Sequence, residues 1–179
     1  MPLVTETGAI VAGANTYVTL AELKSYTGTI PLPVTTDPAC ESALVNATRY
    51  IDGFYRPRWK GNRVNPLLQS LSWPRYGVAL ESASPVINGV YYGGVPVNNF
   101  LISTAIPQRL KDATCEAALR ALTGPLLLDS DRSIQREKID VIETTYFAGT
   151  APGQLSYPVI DQLLSDYLLP RNGGDLVRG

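Results

Sequence analysis

The 179-residue chain contains no histidine and only two cysteines. Without histidine there is no Ser–His–Asp triad, no imidazole general base and almost no ordinary zinc site. The two cysteines, Cys40 and Cys115, are too few for a disulfide framework. Both fall inside predicted helices, where cysteine behaves as a small buried apolar residue. No stretch approaches the roughly 20 apolar residues of a membrane span. The chain does not open with a basic segment followed by an apolar run, so no secretory signal is expected. Enzyme signatures are also missing: there is no Walker-type phosphate loop, no GxSxG elbow and no HExxH. No helix follows Gly93-Gly94 directly, so the pair is not a dinucleotide fingerprint. The acids are scattered and offer no paired carboxylates, and Asp129 and Asp131 read as a capped surface turn rather than a cation site. The expectation is a protein without catalytic residues, cofactor, metal or small-molecule substrate.

Charge is missing in two places. Between Asp52 and Glu81 there is no acid, yet Arg56, Arg58, Lys60, Arg63 and Arg75 all fall there. The net charge of the whole chain is −1, which argues against a surface that coats nucleic acid everywhere but leaves room for a local patch. Phe54, Tyr55, Trp59, Trp73 and Tyr76 are interleaved with the basic residues, and both tryptophans of the chain are among them. Three readings of this segment stand side by side. The arginines stack on the aromatic rings or pair with helix acids as loop packing; they contact DNA phosphates without reading bases; or they meet an acidic neighbouring subunit. The proximity of Trp59 and Trp73 to prolines and leucines favours buried loop anchors over exposed stacking platforms. The second gap runs from Ser82 to Gln108, which carries no charge. Asn88-Gly89 and Gly93-Gly94 are hairpin-turn signals between Val, Ile and Tyr clusters. A long uncharged lobe with Tyr91, Tyr92, Val95 and Phe100 needs a covering surface, which makes these four the expected oligomer or partner contacts.

The remaining pattern is helical. Thr19 and Glu22 stand at capping-box spacing before a short helix that runs to about Tyr26 and stops at Gly28. A Pro-rich loop over 29–36 leads to Asp37-Pro38, read as N-cap and first turn of a second helix. Ala43, Leu44, Ala47, Tyr50, Ile51 and Phe54 form its apolar stripe, with Glu41, Asn46 and Arg49 off it. Pro107 opens a third helix to about Leu122, with Leu110, Ala113, Ala117 and Ala121 inward and Gly124-Pro125 as its stop. Glu116 and Arg120 make a favourable i,i+4 pair on its other face. After a charged loop over 129–138, Ile139 to Phe147 is β-branched and aromatic, hence a strand. Tyr157-Pro158 opens a fourth helix with Val159, Ile160, Leu163, Leu164, Tyr167 and Leu168 as its apolar face, ended by Pro170. The expected fold is mainly α: a bundle of three to four helices with a β-hairpin or strand element and extended arms. One domain spans 1–170, with an N-terminal arm over 1–15, an inserted β-rich lobe over 78–104 and a flexible tail over 171–179.

An ordered set of landmarks runs through the chain. Gly13-Ala14-Asn15-Thr16-Tyr17-Val18 is followed by the helix end Ala47-Thr48-Arg49-Tyr50-Ile51-Asp52. Trp59-Lys60-Gly61 and Leu71-Ser72-Trp73-Pro74-Arg75 come next. Ile106-Pro107 then leads to Lys111-Asp112-Ala113-Thr114-Cys115-Glu116. Arg136-Glu137-Lys138 and Tyr157-Pro158 complete the set. In this order the pattern resembles the head–tail connector or adaptor proteins of tailed-bacteriophage necks, a group also labelled DnaT-like single-stranded DNA-binding proteins. The stretch from Val78 to Thr104 departs from that pattern in being longer and uncharged. The resemblance implies a homo-oligomeric ring, typically of twelve copies, that docks beneath the portal protein and extends the channel for genomic double-stranded DNA. A tail, collar or tail-terminator protein would lie below it. The protein would be made in the host cytoplasm and end in the virion neck, without membrane contact. Arg56, Arg58, Lys60, Arg63 and Arg75 would face DNA or a neighbouring subunit. Leu169, Arg171, Leu176 and Arg178 of the C-terminal segment would contact the portal. The group's label points instead to a single-stranded DNA-binding, primosome-like replication protein.

Overall fold

The computed structural model describes residues 2–29, 36–80, 100–126 and 157–170, together with the backbone of two strands at 136–139 and 142–145. Its helices are α1 (Leu20–Tyr26), α2 (Asp37–Phe54), α3 (Gln108–Thr123) and α4 (Pro158–Leu164). Two antiparallel ladders complete the described elements: β1 (Asn62–Arg63) with β2 (Arg75–Tyr76), and β3 (Arg136–Ile139) with β4 (Ile142–Thr145). The architecture is mainly α with small β-hairpins, as the helical periodicity predicts.

The core forms where α3 packs against both α2 and α4, with α1 laid across α2 and α3. Ala43 and Ala47 on α2, and Ala113, Ala117 and Ala118 on α3, are all buried. Such small side chains let two helix backbones approach closely, while Leu44, Ile51, Leu110, Ile160 and Leu164 supply the apolar volume. Each fully buried large side chain stabilises the fold by about 1.5–3 kcal/mol. Cys40 and Cys115 are free and buried, and burial raises the Cys115 thiol to about 12, so it remains a protonated core residue.

Local signals explain most helix ends. The α1 capping box is complete: the Thr19 hydroxyl accepts from the Glu22 N–H at 3.2 Å, and the Glu22 carboxylate accepts from the Thr19 N–H at 2.7 Å. Lys111 of α3 adds an ion pair to Glu22 at 2.7 Å, tying the short helix to the bundle. The Glu116–Arg120 pair forms at 2.7 Å, and Arg120 also sits over the Tyr157 ring at 5.3 Å.

Some boundaries differ from the sequence expectation. The N-cap of α2 is Thr36, not Asp37; Asp37 is the first helical residue and places its charge in the first turn instead, where the helix dipole favours it. The apolar run starting at Ile139 is not one strand. Arg136–Ile139 and Ile142–Thr145 pair with each other, Ile139 opposite Ile142, so the β element begins inside the presumed charged loop. The fourth helix stops at Leu164 and tightens into a 3₁₀ turn over Ser165–Tyr167. Leu168 then leaves helical geometry to bridge Trp59 in antiparallel fashion. Val159, expected on the inner face, is exposed.

Residues 2–16 contain no helix and fold back on the body. Thr5 and Thr16 form a parallel bridge. The buried Glu6 carboxylate accepts from the N–H groups of Gly8, Ile10 and Val11 at 2.8–3.0 Å. Gly8 has φ +98°, and a Cβ there would strike the Thr104 carbonyl. The Pro-rich loop over 30–35, the lobe core with Tyr91, Tyr92 and Val95, and the tail residues Arg171, Leu176 and Arg178 lie outside the described residues.

Candidate functional site

The basic segment begins where α2 ends. Arg56–Arg58 makes a single 3₁₀ turn, which aims the chain back toward the end of α4. There the Lys60 N–H donates to the Tyr167 carbonyl at 2.9 Å and the Leu169 N–H donates to the Arg58 carbonyl at 2.6 Å. Gly61 has φ +65° and leaves no room for a Cβ beside the Tyr76 carbonyl. This left-handed, crowded position is one that glycine fills best, and it starts the β1–β2 hairpin.

Aromatic rings run from the bundle into this hairpin as one seam. Tyr50 stacks on Phe54 at 5.4 Å, Tyr55 meets Trp59 at 6.0 Å, Trp59 meets Trp73 edge-on at 5.6 Å, and Trp73 meets Tyr167 at 5.6 Å. Trp59 and Trp73 are both buried. The Trp73–Pro74 peptide is cis. Tyr17 joins three parts of the chain: its hydroxyl donates to Asp52 of α2 at 2.6 Å and accepts the Trp73 N–H at 3.1 Å. The second Asp52 oxygen accepts the Ser72 N–H at 2.8 Å. Burial raises the Asp52 carboxyl above its ordinary range, against the lowering effect of these hydrogen bonds. Burial, with the Asp52 charge beside it, also holds the Tyr17 phenol well above its usual value.

The tip of the hairpin faces outward. The Asn65 side-chain oxygen accepts from the N–H groups of Leu67 and Leu68, each at 3.3 Å. The buried Gln69 amide donates to the Leu71 and Pro74 carbonyls at 3.0 and 2.9 Å. The turn is therefore fixed from inside, while Leu67 and Leu68 are 95% and 70% exposed.

The five basic residues of the segment divide. Arg75 is only 9% exposed, and its guanidinium donates to the carbonyls of Lys60, Gly61 and Ser72. Arg75 thus clamps the hairpin closed, and it also lines the groove on the hairpin's α2 side. Lys60 is half-buried and donates from Nζ to the Asp166 carbonyl at 3.0 Å. Arg58 is half-buried, with its Nε enclosed and unpartnered among the described residues. Arg63 donates to the Gln69 carbonyl. Arg56 is exposed.

Arg56 and Arg63 come together across a groove of about 640 Å³ between the C-terminal half of α2 and the hairpin. Arg49 and Gly53 of α2 also line it, as do Asp52 and Ser72. Arg58 and Lys60 do not. None of the described residues lining it is aromatic. Arg49 is the functional candidate that reading the segment as a loop passes over. The signal for it was present: Arg49 stands off the apolar stripe of α2, on the side a helix turns to solvent. Elsewhere, Phe100 pairs with Ala79 in an antiparallel bridge and is 53% exposed, and Leu169 is exposed beside the Trp59–Leu168 bridge.

Fold and groove together define a small helical protein with an arginine-lined cleft suited to anionic ligands. A family model described as "Putative DnaT-like ssDNA binding protein" matches residues 1–179, and the chain belongs to this family. No curated protein and no solved structure gives a significant match.

Proposed function

We propose that the protein is a non-enzymatic structural component of a bacteriophage virion neck. Copies form an adaptor ring that docks beneath the portal, joins head to tail and borders the channel through which genomic double-stranded DNA passes. The landmark residues that resemble neck adaptors support this reading. The observation that carries it is the orientation of the basic segment: the tryptophans turn inward as anchors, while Arg56, Leu67 and Leu68 face out. A protein that holds single strands by base stacking needs aromatic platforms on its surface. Tyr17, Tyr50, Tyr55, Trp59 and Trp73 are all buried, and among the described residues the exposed large aromatics are Tyr76 and Phe100. The outward leucines are surface that suits a permanent neighbour.

The second reading is a single-stranded DNA-binding protein of the primosome type. The family description favours it directly, and the arginine-lined groove is compatible with it. Electron microscopy of the purified protein mixed with the portal, alongside oligonucleotide titrations, separates the two. The adaptor reading expects rings on the portal and modest, strand-tolerant DNA affinity. Tight binding to single strands over duplex by a small oligomer, with no ring, would establish the replication reading instead.

A further inference from the structure

We propose that the groove between α2 and the β1–β2 hairpin seats a nucleic-acid phosphodiester backbone. Arg49, Arg56 and Arg63 are its phosphate ligands, and Gly53 is the point of closest approach. The inference rests on the reading that DNA passes this protein, and it names the surface that meets it.

Three independent observations converge on the groove. The first is pairing. Outside it, Lys24, Arg109, Lys111 and Arg120 are each paired with a carboxylate. Among the described residues Arg49 of α2 and Arg56 of the 3₁₀ turn that follows it are both exposed and have no such partner. The one acid among the lining residues, Asp52, already accepts from Tyr17 and Ser72. Arg49, Arg56, Arg63 and Arg75 line the groove against this single acid, so its net charge is positive.

The second is Gly53. It stands inside α2, where glycine is less favourable than alanine because it gives up more backbone freedom. The fold does not require it: a Cβ at Gly53 would meet nothing within 4 Å. Arg49 and Gly53 stand at i, i+4 on one face of α2, Arg56 follows in the 3₁₀ turn beyond the helix end, and all three line the groove. A missing side chain in the wall of an arginine-lined cleft leaves room for something to approach the helix backbone closely.

The third is shape. A groove of about 640 Å³ admits a single backbone and not a whole duplex. With no aromatic floor, it would grip one strand of a duplex as readily as a free strand. Arg63 closes the far wall, with one guanidinium nitrogen on Gln69 and its Nε buried without a partner among the described residues.

The test uses the full chain and fluorescently labelled oligonucleotides, single-stranded and duplex, titrated between 50 and 200 mM salt. Each arginine that meets a phosphate contributes about 0.7 to the salt slope for single strands and about 0.9 for duplex. Arg49→Gln with Arg56→Gln should lower the slope by about 1.4 and about 1.8 respectively, with an unchanged melting curve. Lys24→Gln, at an exposed pair away from the groove, should leave the slope as it is. Gly53→Ala should raise Tm by about 1–4 °C and yet weaken binding several-fold. An unchanged slope in the double variant overturns the site, and unchanged affinity in Gly53→Ala overturns the close approach. A poly-glutamate peptide that binds the groove more tightly than either oligonucleotide overturns the nucleic-acid assignment in favour of an acidic protein partner. Portal-ring formation, scored on the same variants, keeps the two readings apart. Rings that form without DNA binding in the double variant support the site. Wild-type protein that binds DNA through the groove without forming rings removes the adaptor reading and leaves the site standing.

Discussion

Asp52 is a carboxylate drawn out of water in a part of the chain otherwise free of acids. Its two oxygens hold Tyr17 and the Ser72 N–H, so it fastens the N-terminal loop and the hairpin to α2. Burial is the largest influence on it and raises its pKa. The folded state therefore takes up a proton at a higher pH than the unfolded chain, whose aspartates titrate near about 3.9. As pH falls from neutrality through the raised value, the stability from this group increases, and it declines again as pH rises. Asp52→Asn removes that titration. The stability of wild type relative to Asp52→Asn should thus grow as pH is lowered from 7 toward 4, as urea midpoints at each pH would show. A gap that narrows over that range would mean that the hydrogen bonds outweigh burial. Nothing in the local sequence marks this node, because Tyr17, Asp52 and Trp73 meet only through tertiary packing. The burial of Trp59 and Trp73, by contrast, could be anticipated from their proline and leucine neighbours. The role of Arg75 could not: an arginine in a basic run reads as outward until the carbonyls of Lys60, Gly61 and Ser72 are seen to converge on it.

Elements held by adjacent residues were readable, whereas those held by distant ones were not. The α1 capping box needs only Thr19 and Glu22, and the stripes of α2 and α3 need only their own periodicity. The β1–β2 hairpin has two-residue strands, too short for any alternation. It exists because Gly61 turns the chain and Arg75 clamps it. Gly61→Ala tests this directly. A non-glycine residue in the left-handed region costs about 1–2 kcal/mol, and the added Cβ would press on the Tyr76 carbonyl. The expected loss is about 2–4 kcal/mol in denaturant unfolding, with the groove opened, since its Arg63 wall belongs to β1. Substitution with little effect on stability would show that the hairpin can be rebuilt without its turn. The end of α4 illustrates the same limit. Periodicity continues through Leu168, but the Trp59 bridge pulls that residue out of the helix.

At the scale of the whole molecule, interior and surface follow different logics. The bundle is self-sufficient, with its aromatic seam and alanine-rich helix contacts closed off from solvent. The hairpin tip is internally braced by Asn65 and Gln69 and nevertheless presents Leu67 and Leu68 to solvent. Exposed apolar side chains on a turn that already satisfies its own hydrogen bonds do little for the monomer, and single exposed leucines are common on protein surfaces. Two side by side on a fixed turn are better explained by a neighbouring chain. Leu67→Ser with Leu68→Ser should therefore leave monomer stability within about 0.5 kcal/mol, as for surface substitutions generally. On the adaptor reading, the same variant should fail to assemble with the portal by electron microscopy while keeping its affinity for oligonucleotides. Loss of stability in the isolated variant would place the leucines in the fold instead. Intact assembly would move the subunit contact elsewhere on the surface, with Phe100 and Leu169 as the next exposed apolar positions to substitute.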